Sequence, residues 1–249
     1  MLFRSTIQKA RDAGIVVVTH EAPGIADSVD LDIEAFVNED FGELFGENLA
    51  AAMGGKGAYV GFVGGLTMET HMAWYNAAVK YIAGKYPEMK NLADEPFEDK
   101  NSVEGAYNKT LEILKAYPEI NGFFDCSAHG GGISQALSEK GKANDIKVVS
   151  LALPSMSATY LKDGSMQHGQ AWRPADAGYA TCYAAYLIAS GQGVETGSDL
   201  KATGYDNINV VDNIAYGFAP LEFTADNIDD YNFRSEEHTS ELQSPSLIS

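Results

Sequence analysis

Apolar and polar positions follow one another along the chain in blocks that predict alternating strands and helices. The β-branched run at residues 15–19 is typical of a buried parallel strand. At residues 69–86 apolar side chains recur every three or four positions, which predicts an amphipathic helix that ends at Pro87. By the same criteria we predict further strands at 58–63, 92–97, 122–126, 147–152 and 167–172, and helices at 6–14, 40–53, 103–117, 133–140, 155–162 and 175–190. Strands separated by helices at this spacing predict parallel βαβ units and therefore an α/β fold.

Composition and charge narrow the class of protein. The 249 residues are 45% hydrophobic and 21% charged, as in a globular protein. A formal net charge of −18 argues against nucleic acid or an anionic membrane surface as partner, because both attract basic proteins. Cys126 and Cys182 match no metal-binding spacing and are expected to be unpaired thiols. The sequence shows no signal peptide and no membrane-spanning run.

The two ends of the chain differ from the rest in character. Residues 234–249 are polar and turn-rich, and their first eleven resemble the translation of a short-read sequencing adapter. Residues 1–5 resemble such an adapter read at the other end. We therefore expect residues 1–5 and 234–249 to be adapter-derived and residues 6–233 to be the biological segment. Residues 234–249 are also expected to be disordered.

Polar side chains follow the predicted strands, and an open α/β sheet binds its ligand at the carboxyl ends of its strands. Hydroxyl, imidazole and carboxylate groups beside an indole suit a sugar, whose hydroxyls need donors and acceptors and whose C–H face stacks on an aromatic ring. The candidate binding residues are His20, Glu21, Thr67, Thr70, His71, Asp125, Ser127, Pro154, Trp172 and Arg173.

Other interpretations of these residues were considered. Glu21 and Asp125 are also placed to cap the helices that follow them, and Trp172 is also placed to be a core aromatic. His20, His71 and His129 could form a metal site with Glu21, but their loose spacing over separate loops argues against one. The glycines at 130–132 lack the GxGxxG and P-loop patterns, and neither a GxSxG nor a Cys–His signature is present. We therefore expect a binding site without metal, cofactor or catalytic residues.

Several segments resemble one known family. They are DAGIVVVTHEAPG at 12–24, YVGFVGGLTMETHMAW at 59–74, ILKAYPEINGFF at 113–124 and WRPADAGYA at 172–180. They are similar to the sugar-type periplasmic binding proteins of ABC importers, and most similar to the branch with autoinducer-2-binding and rhamnose-binding proteins. The similarity extends over residues 6–233.

The resemblance implies a type I periplasmic binding protein fold: two α/β lobes with parallel sheets flanked by helices, joined by crossovers near 36–38, 172–174 and 207–212. It also implies that the N-terminal lobe is incomplete, lacking its opening strands. The expected divisions are 6–37 in the N-terminal lobe, 38–172 in the C-terminal lobe, 173–206 returning to the N-terminal lobe, and 207–233 holding the third crossover and the C-terminal segment.

The resemblance further implies a monomeric, non-enzymatic protein that binds a sugar-like solute between its lobes and delivers it to the membrane permease of an ABC importer. Its place would be the periplasm, or the outer face of a Gram-positive cell through a lipid anchor. Glu21, Pro154 and Trp172 fall at ligand-contacting positions of the family. Autoinducer-2 binders carry Asp-Gln where this chain has Thr70 and His71, which favours another sugar or polyol. The alternatives are the effector domain of a LacI-type repressor and a sugar-acting α/β enzyme.

Overall fold

The structure, a computed structural model, describes residues 2–231. Strands and helices alternate through most of this range. The helices are α1 (Leu2–Asp12), α2 (Asn38–Met53), α3 (Glu69–Lys85), α4 (Val103–Ala116), α5 (Gly130–Glu139), α6 (Pro154–Lys162) and α7 (Pro174–Ala189). The strands are β1 (Val18–His20), β2 (Leu31–Glu34), β3 (Lys56–Val63), β4 (Glu88–Asn91), β5 (Phe97–Glu98), β6 (Ile120–Asp125), β7 (Lys147–Leu151), β8 (His168–Ala171), β9 (Asn209–Val211), β10 (Ile214–Tyr216) and β11 (Leu221–Phe223). Short 3-10 helices span Pro23–Ser28 and Ile228–Asp230.

The described chain divides into two compact units. The smaller unit holds residues 2–37 and Trp172–Leu221, and the larger unit holds Asn38–Ala171 and residues 222–231. The chain therefore passes between the units after residues 37, 171 and 221. The third passage lies later than the expected crossover at 207–212, because β9 and β10 still pair within the sheet of the smaller unit.

The larger unit is built on a seven-stranded sheet in the order β11-β8-β7-β6-β3-β4, with β5 also paired to β3. The pairs from β3 to β8 are parallel, so these strands end at one common edge. Its core is fully buried and includes Val60, Phe62, Phe123 and Phe124 on the two central strands. Removing these side chains from water is the main force that holds the sheet and its helices together.

Helices α2 and α3 pack closely because α2 carries glycine where the helices meet. A Cβ atom on Gly42 would lie 2.7 Å from the Cβ atom of Ala77 and 2.7 Å from the carbonyl oxygen of Trp74. At Gly46 it would lie 2.8 Å from the carbonyl oxygen of Ala78. Only glycine leaves room for a backbone-to-backbone approach of this kind.

The smaller unit is built on a four-stranded sheet in the order β1-β2-β10-β9. β1, β2 and β10 are parallel, and β9 and β10 form an antiparallel pair. Helix α7 packs against β1 and β2. All four residues of β2 are buried, including the acidic Asp32 and Glu34.

The α/β fold class is confirmed, and several details of the strand prediction are wrong. The strand predicted at 15–19 is shorter and later, Val18–His20, and it is half-buried because its one partner in the described sheet is β2. The strand predicted at 92–97 is absent from the described residues. Two short strands flank this stretch instead, and Pro96 within it has no N–H for a ladder. β2 was not predicted, because acids at alternate positions are typical of an exposed segment, whereas this strand is buried on both faces.

The terminal segments have different outcomes. Helix α1 begins at Leu2, inside the segment expected to be adapter-derived, and Arg4 donates hydrogen bonds to Asp27 Oδ1 at 2.7 Å and to the Gly24 carbonyl oxygen at 2.8 Å. The origin of residues 1–5 stays a prediction. Residues 234–249 lie outside the described residues. Within 2–231, every helix is too short or too polar to cross a bilayer.

Candidate functional site

The carboxyl ends of β3, β5, β6 and β7 bring a buried polar cluster together in the larger unit. Asp99 follows β5, and its backbone N–H donates to the Val63 carbonyl oxygen at the end of β3 at 3.0 Å. Asp125 is the last residue of β6, and Ser127 follows it two positions later. All three are buried, and His129 beside them is partly exposed. Parallel pairing thus assembles residues that are distant in sequence at one edge of the sheet.

Hydrogen bonds link this cluster into one network. The Ser127 hydroxyl contacts Asp125 Oδ1 at 2.5 Å and also Asp99 Oδ2. Asp125 accepts the backbone N–H groups of Ser127 at 2.9 Å and His129 at 2.8 Å, and the hydroxyl of Ser150 lies 2.9 Å from its Oδ2. The Nδ1 atom of His129 lies 3.0 Å from Asp99 Oδ2. Two carboxyl groups buried this close together are stabilised only by such a dense set of donors.

The electrostatics of the cluster follow from its burial. Loss of water raises the pKa of Asp125 to about 6, with a further increase from the Asp99 charge. Burial lowers the pKa of His129, but its hydrogen bond to Asp99 and the charges of Asp99 and Asp125 outweigh this and raise it overall. Burial, followed by the charges of Asp125 and Asp99, raises the pKa of the Cys126 thiol. The cluster therefore holds protons that the same groups would lose in water.

The loops that carry these groups contain residues in the left-handed backbone region. Ala128, between Ser127 and His129, has φ 69°, and Lys100 and Asn101, directly after Asp99, have φ 57° and 52°. Alanine and lysine rarely adopt this conformation, and strain of this kind concentrates at functional sites. The positive φ angles thus mark both loops as candidate binding loops.

His71 lies at the same edge, in the first turn of α3. Its Nδ1 atom accepts the backbone N–H of Gly64 at 3.1 Å, and its ring stacks on Trp74 with the ring centroids 5.6 Å apart and the planes at 25°. Burial lowers the pKa of His71, the Asp99 charge opposes this, and the His129 charge adds to it. His71 and His129 are therefore close enough to affect each other's ionisation.

The other predicted residues of the larger unit occupy different positions around this edge. Thr67 is exposed in the turn after β3, and Thr70 is half-buried near the start of α3. Pro154 is the first residue of α6 and is buried. Of the predicted residues, the structure joins Asp125 and Ser127 in one hydrogen-bonded cluster and places His71 next to it.

In the smaller unit, Glu21 and His20 stand at the carboxyl end of β1. Glu21 is exposed and has φ 54°. Partial burial of its carboxyl group nevertheless raises its pKa. The His20 charge opposes this increase, and the Asp32 charge adds to it. The Nδ1–H of His20 donates to the Ile33 carbonyl oxygen at 2.7 Å. The side chain of Asp32 accepts the Thr19 hydroxyl at 2.6 Å, while its Oδ2 atom has no partner among the described residues.

Tyr205 adds a buried hydroxyl to the smaller unit. Its Oη atom also has no hydrogen-bond partner within residues 2–231. Burial raises its pKa, and the charges of Asp176, Glu21 and Glu34 raise it further. The Tyr205 hydroxyl is therefore a buried polar group on which three carboxylate charges act.

Trp172 and Arg173 open the second segment of the smaller unit. Trp172 is half-buried and packs edge-on against Phe36, with the ring centroids 5.6 Å apart. Arg173 precedes α7, is exposed, and forms a 3.7 Å ion pair with Asp176. Both interpretations of Trp172 stay open, because it has an aromatic neighbour and an accessible surface.

Within residues 2–231 no group of three or more His, Cys, Asp or Glu side chains is arranged to hold a metal ion. In the same range Cys126 is a buried free thiol of the larger unit and Cys182 an exposed free thiol on α7. The imidazoles considered as metal ligands are instead bonded through Nδ1 to three separate partners: the Ile33 carbonyl, the Gly64 N–H and the Asp99 carboxylate.

Sequence reasoning missed part of the cluster. Asp99 lies in the acidic stretch DEPFEDK next to a two-residue strand, so no pattern separated it from exposed charges. His129 was placed at a strand end but was not named among the candidate binding residues. In the smaller unit Asp32 and Tyr205 were missed, although the fully buried LDIE strand carries a signal: acids at alternate positions between apolar residues.

A parallel α/β sheet with polar groups at its carboxyl edge is a common setting for a small-molecule site. The family model for the periplasmic binding protein domain matches residues 2–193. The chain belongs to this family. Its members are non-enzymatic solute carriers, which confirms the predicted non-enzymatic class.

Solved structures show the same fold. A sugar ABC transporter protein from Actinomyces odontolyticus is 24% identical, with a TM-score of 0.78 over 91% of this chain and 74% of its own. LsrB from Clostridium saccharobutylicum, in complex with AI-2, is 23% identical, with a TM-score of 0.78 over 92% and 78%. A solute-binding protein from Clostridium phytofermentas with bound L-rhamnose is 20% identical, with a TM-score of 0.78 over 92% and 75%. These likenesses confirm the type I periplasmic binding protein fold.

Proposed function

We propose that this protein binds a small sugar or sugar-like solute and delivers it to the permease of an ABC importer. The observation that carries this proposal is the cluster of Asp99, Asp125, Ser127 and His129 at the carboxyl edge of the larger sheet, in a chain of the periplasmic binding protein family. A rigid set of donors and acceptors beside partly exposed imidazoles matches the needs of hydroxyl groups. The solutes in the similar structures, AI-2, L-rhamnose and D-allose, support a ligand of this class.

The two compact units are proposed to be the two lobes, and each carries its own candidate ligand contacts. In the larger unit these are His71, Ser127 and His129, with Thr67, Thr70 and Pro154 around them and Asp125 holding the loop. In the smaller unit the proposed contacts are His20, Glu21, Trp172 and Arg173. The function places the protein outside the cytoplasmic membrane, where a permease accepts its ligand. The transport proteins among the similar structures favour this role over a LacI-type effector domain.

Thermal unfolding with a panel of ligands tests the proposal. The chain is heated alone and with L-rhamnose, D-allose, D-tagatose, common pentoses and hexoses, and autoinducer-2. A ligand that binds only the folded state raises the midpoint in proportion to the logarithm of its concentration. We expect one or a few of these sugars to raise the midpoint. No shift with any of them at millimolar concentration would contradict the proposal.

A matched pair of variants locates the site. Glu21→Gln changes a carboxylate at the carboxyl end of β1, and Glu119→Gln makes the same change at an exposed position directly before β6. We expect Glu21→Gln to reduce the ligand-induced shift and Glu119→Gln to leave it unchanged. Equal shifts in both variants would remove Glu21 from the proposed site.

A further inference from the structure

His71 and His129, at the carboxyl edge of the sheet in the larger unit, are held in opposite tautomers. A backbone N–H only donates, so the Gly64 bond at 3.1 Å requires the Nδ1 atom of His71 to accept, and the neutral ring carries its proton on Nε2. The Asp99 carboxylate, which already accepts the N–H of Asn101 at 2.8 Å, faces Nδ1 of His129 at 3.0 Å. The Ser127 hydroxyl lies 3.1 Å from the same Nδ1 atom, but its own proton is directed at the two carboxyl groups that it contacts. Nδ1 of His129 therefore carries the proton, and in the neutral ring Nε2 holds a free lone pair.

The outward nitrogen of each ring is available to a ligand. Neither Nε2 atom makes a hydrogen bond within the described residues, and neither is among the buried unpartnered atoms of residues 2–231. His71 is bonded to Gly64, and His129 is bonded to Asp99, whose backbone N–H donates to the carbonyl oxygen of Val63. Both rings therefore lie at the carboxyl end of β3. The edge thus offers one imidazole N–H donor beside one imidazole acceptor.

We infer that His71 and His129 form a donor–acceptor pair for adjacent hydroxyl groups of the bound sugar, with Asp99 as the positioning residue that makes His129 the acceptor. The inference rests on the proposed function and specifies its ligand: a neutral diol, since one hydroxyl oxygen accepts from His71 while its neighbour donates to His129. A ligand carboxylate would find a single donor, and an ammonium group a single acceptor.

The pair depends on pH through His129. The titratable groups facing it are Asp99 at the end of β5, Asp125 at the end of β6 and His71 on α3, and the buried Cys126 thiol lies beside the two carboxyls. Protonation of His129 turns its Nε2 atom from an acceptor into a donor. Affinity for a diol should therefore fall as the pH falls through the pKa of His129.

Histidine ¹⁵N NMR tests the tautomers without any ligand. In the wild-type chain, at a pH above the pKa of His129, we expect a protonated Nδ1 and an unprotonated Nε2 for His129, and the reverse for His71. Asp99→Asn removes the charge that fixes Nδ1–H, so the Nε2–H form of His129 should appear and its pKa should fall. His20, whose Nδ1–H donates to the Ile33 carbonyl oxygen, is the internal control and should not change. A neutral His129 ring with its proton on Nε2 in the wild type, or no change in Asp99→Asn, would overturn the role of Asp99.

Binding of the sugar that gives the largest thermal shift tests the pair itself by titration calorimetry. We expect His71→Leu and His129→Leu each to weaken binding about 10-fold, and His129→Gln to retain part of the affinity because its amide oxygen can still accept. In Asp99→Asn the acid-induced loss of affinity should move to lower pH. If both leucine variants bind as tightly as wild type, the pairing is overturned while the proposed function stands. If the wild type binds none of the sugars, the proposed function fails and this inference fails with it, whatever the tautomers are.

Discussion

Replacing Asp125 with asparagine should change how the stability of the larger unit depends on pH. Asp125 is fully buried, and burial, then the Asp99 charge, raises its pKa from an ordinary 3.8 to about 6. The folded state therefore binds this proton more tightly than the unfolded state does. The resulting stabilisation is fully present below about pH 4 and is lost as the pH rises through about 6.

The size of the effect follows from the two pKa values. The difference, about 6 − 3.8, is about 2.2, which at 1.36 kcal/mol for each unit of pKa gives about 3 kcal/mol. Asp125→Asn also disturbs the hydrogen bonds from Ser127 and His129, but it does so at every pH and adds a constant offset. The free energy of unfolding of wild type minus that of Asp125→Asn should therefore fall by about 3 kcal/mol between about pH 3 and pH 8.

Urea unfolding followed by tryptophan fluorescence measures this difference. Trp74 is buried in the larger unit, so a Trp172→Phe background leaves it as the one reporter of the two tryptophans. Asp145→Asn, the same exchange at an exposed position of the larger unit, is the control, and the fall with pH in Asp125→Asn is measured relative to it. A flat or rising difference for Asp125→Asn, with unchanged denaturant slopes, would refute the inferred burial of the Asp125 charge.

Three further predictions concern packing and helix ends, each measured by urea unfolding. Gly42→Ala should destabilise the protein by about 1 to 3 kcal/mol because the added Cβ atom meets α3. Gly84→Ala, at a helix position open to solvent, should stabilise it by about 0.5 to 1 kcal/mol. A change of the same sign in both variants would contradict the close approach of α2 and α3. Phe45→Ala should cost about 3 to 5 kcal/mol and Phe218→Ala, 83% exposed, very little; a comparable loss in both would place Phe45 outside the core. Ser102→Ala should lower the free energy of unfolding by about 1 kcal/mol, because the Ser102 hydroxyl accepts the N–H of Gly105 at the start of α4 at 3.0 Å. Ser102→Asp should retain most of this stability, because a carboxylate can accept the same N–H.

Local pattern was enough to predict the framework of the larger unit. Continuous β-branched and aromatic runs mark β3, β6 and β7, because strands of a parallel sheet are buried on both faces. The helical repeat after residue 69 and the proline that follows it locate α3 to within a residue of its end. Pattern was misleading at β1 and β2, where an apolar run proved partly exposed and an acidic one fully buried. The exposure of a strand depends on its neighbours in the sheet, and these neighbours can be distant in sequence.

Part of the candidate site was also visible in the sequence, and part was not. Asp125, Ser127 and His71 could be named because they lie at strand ends or in the segments that follow them, and in a parallel sheet all strand ends meet at one edge. The contact of Asp99 with His129 could not be foreseen, since it joins loops 30 residues apart through the pairing of β3 with both β5 and β6.

The sequence by itself thus determined the alternation of elements, the parallel sheet, the chemical types at the strand ends and the resemblance to a family. Those properties depend on neighbours along the chain. The tertiary structure alone decided that two carboxyl groups share a buried network and which nitrogen of each histidine bears its proton. Burial and hydrogen-bond partners set ionisation and tautomer, and both arise only when distant segments pack together.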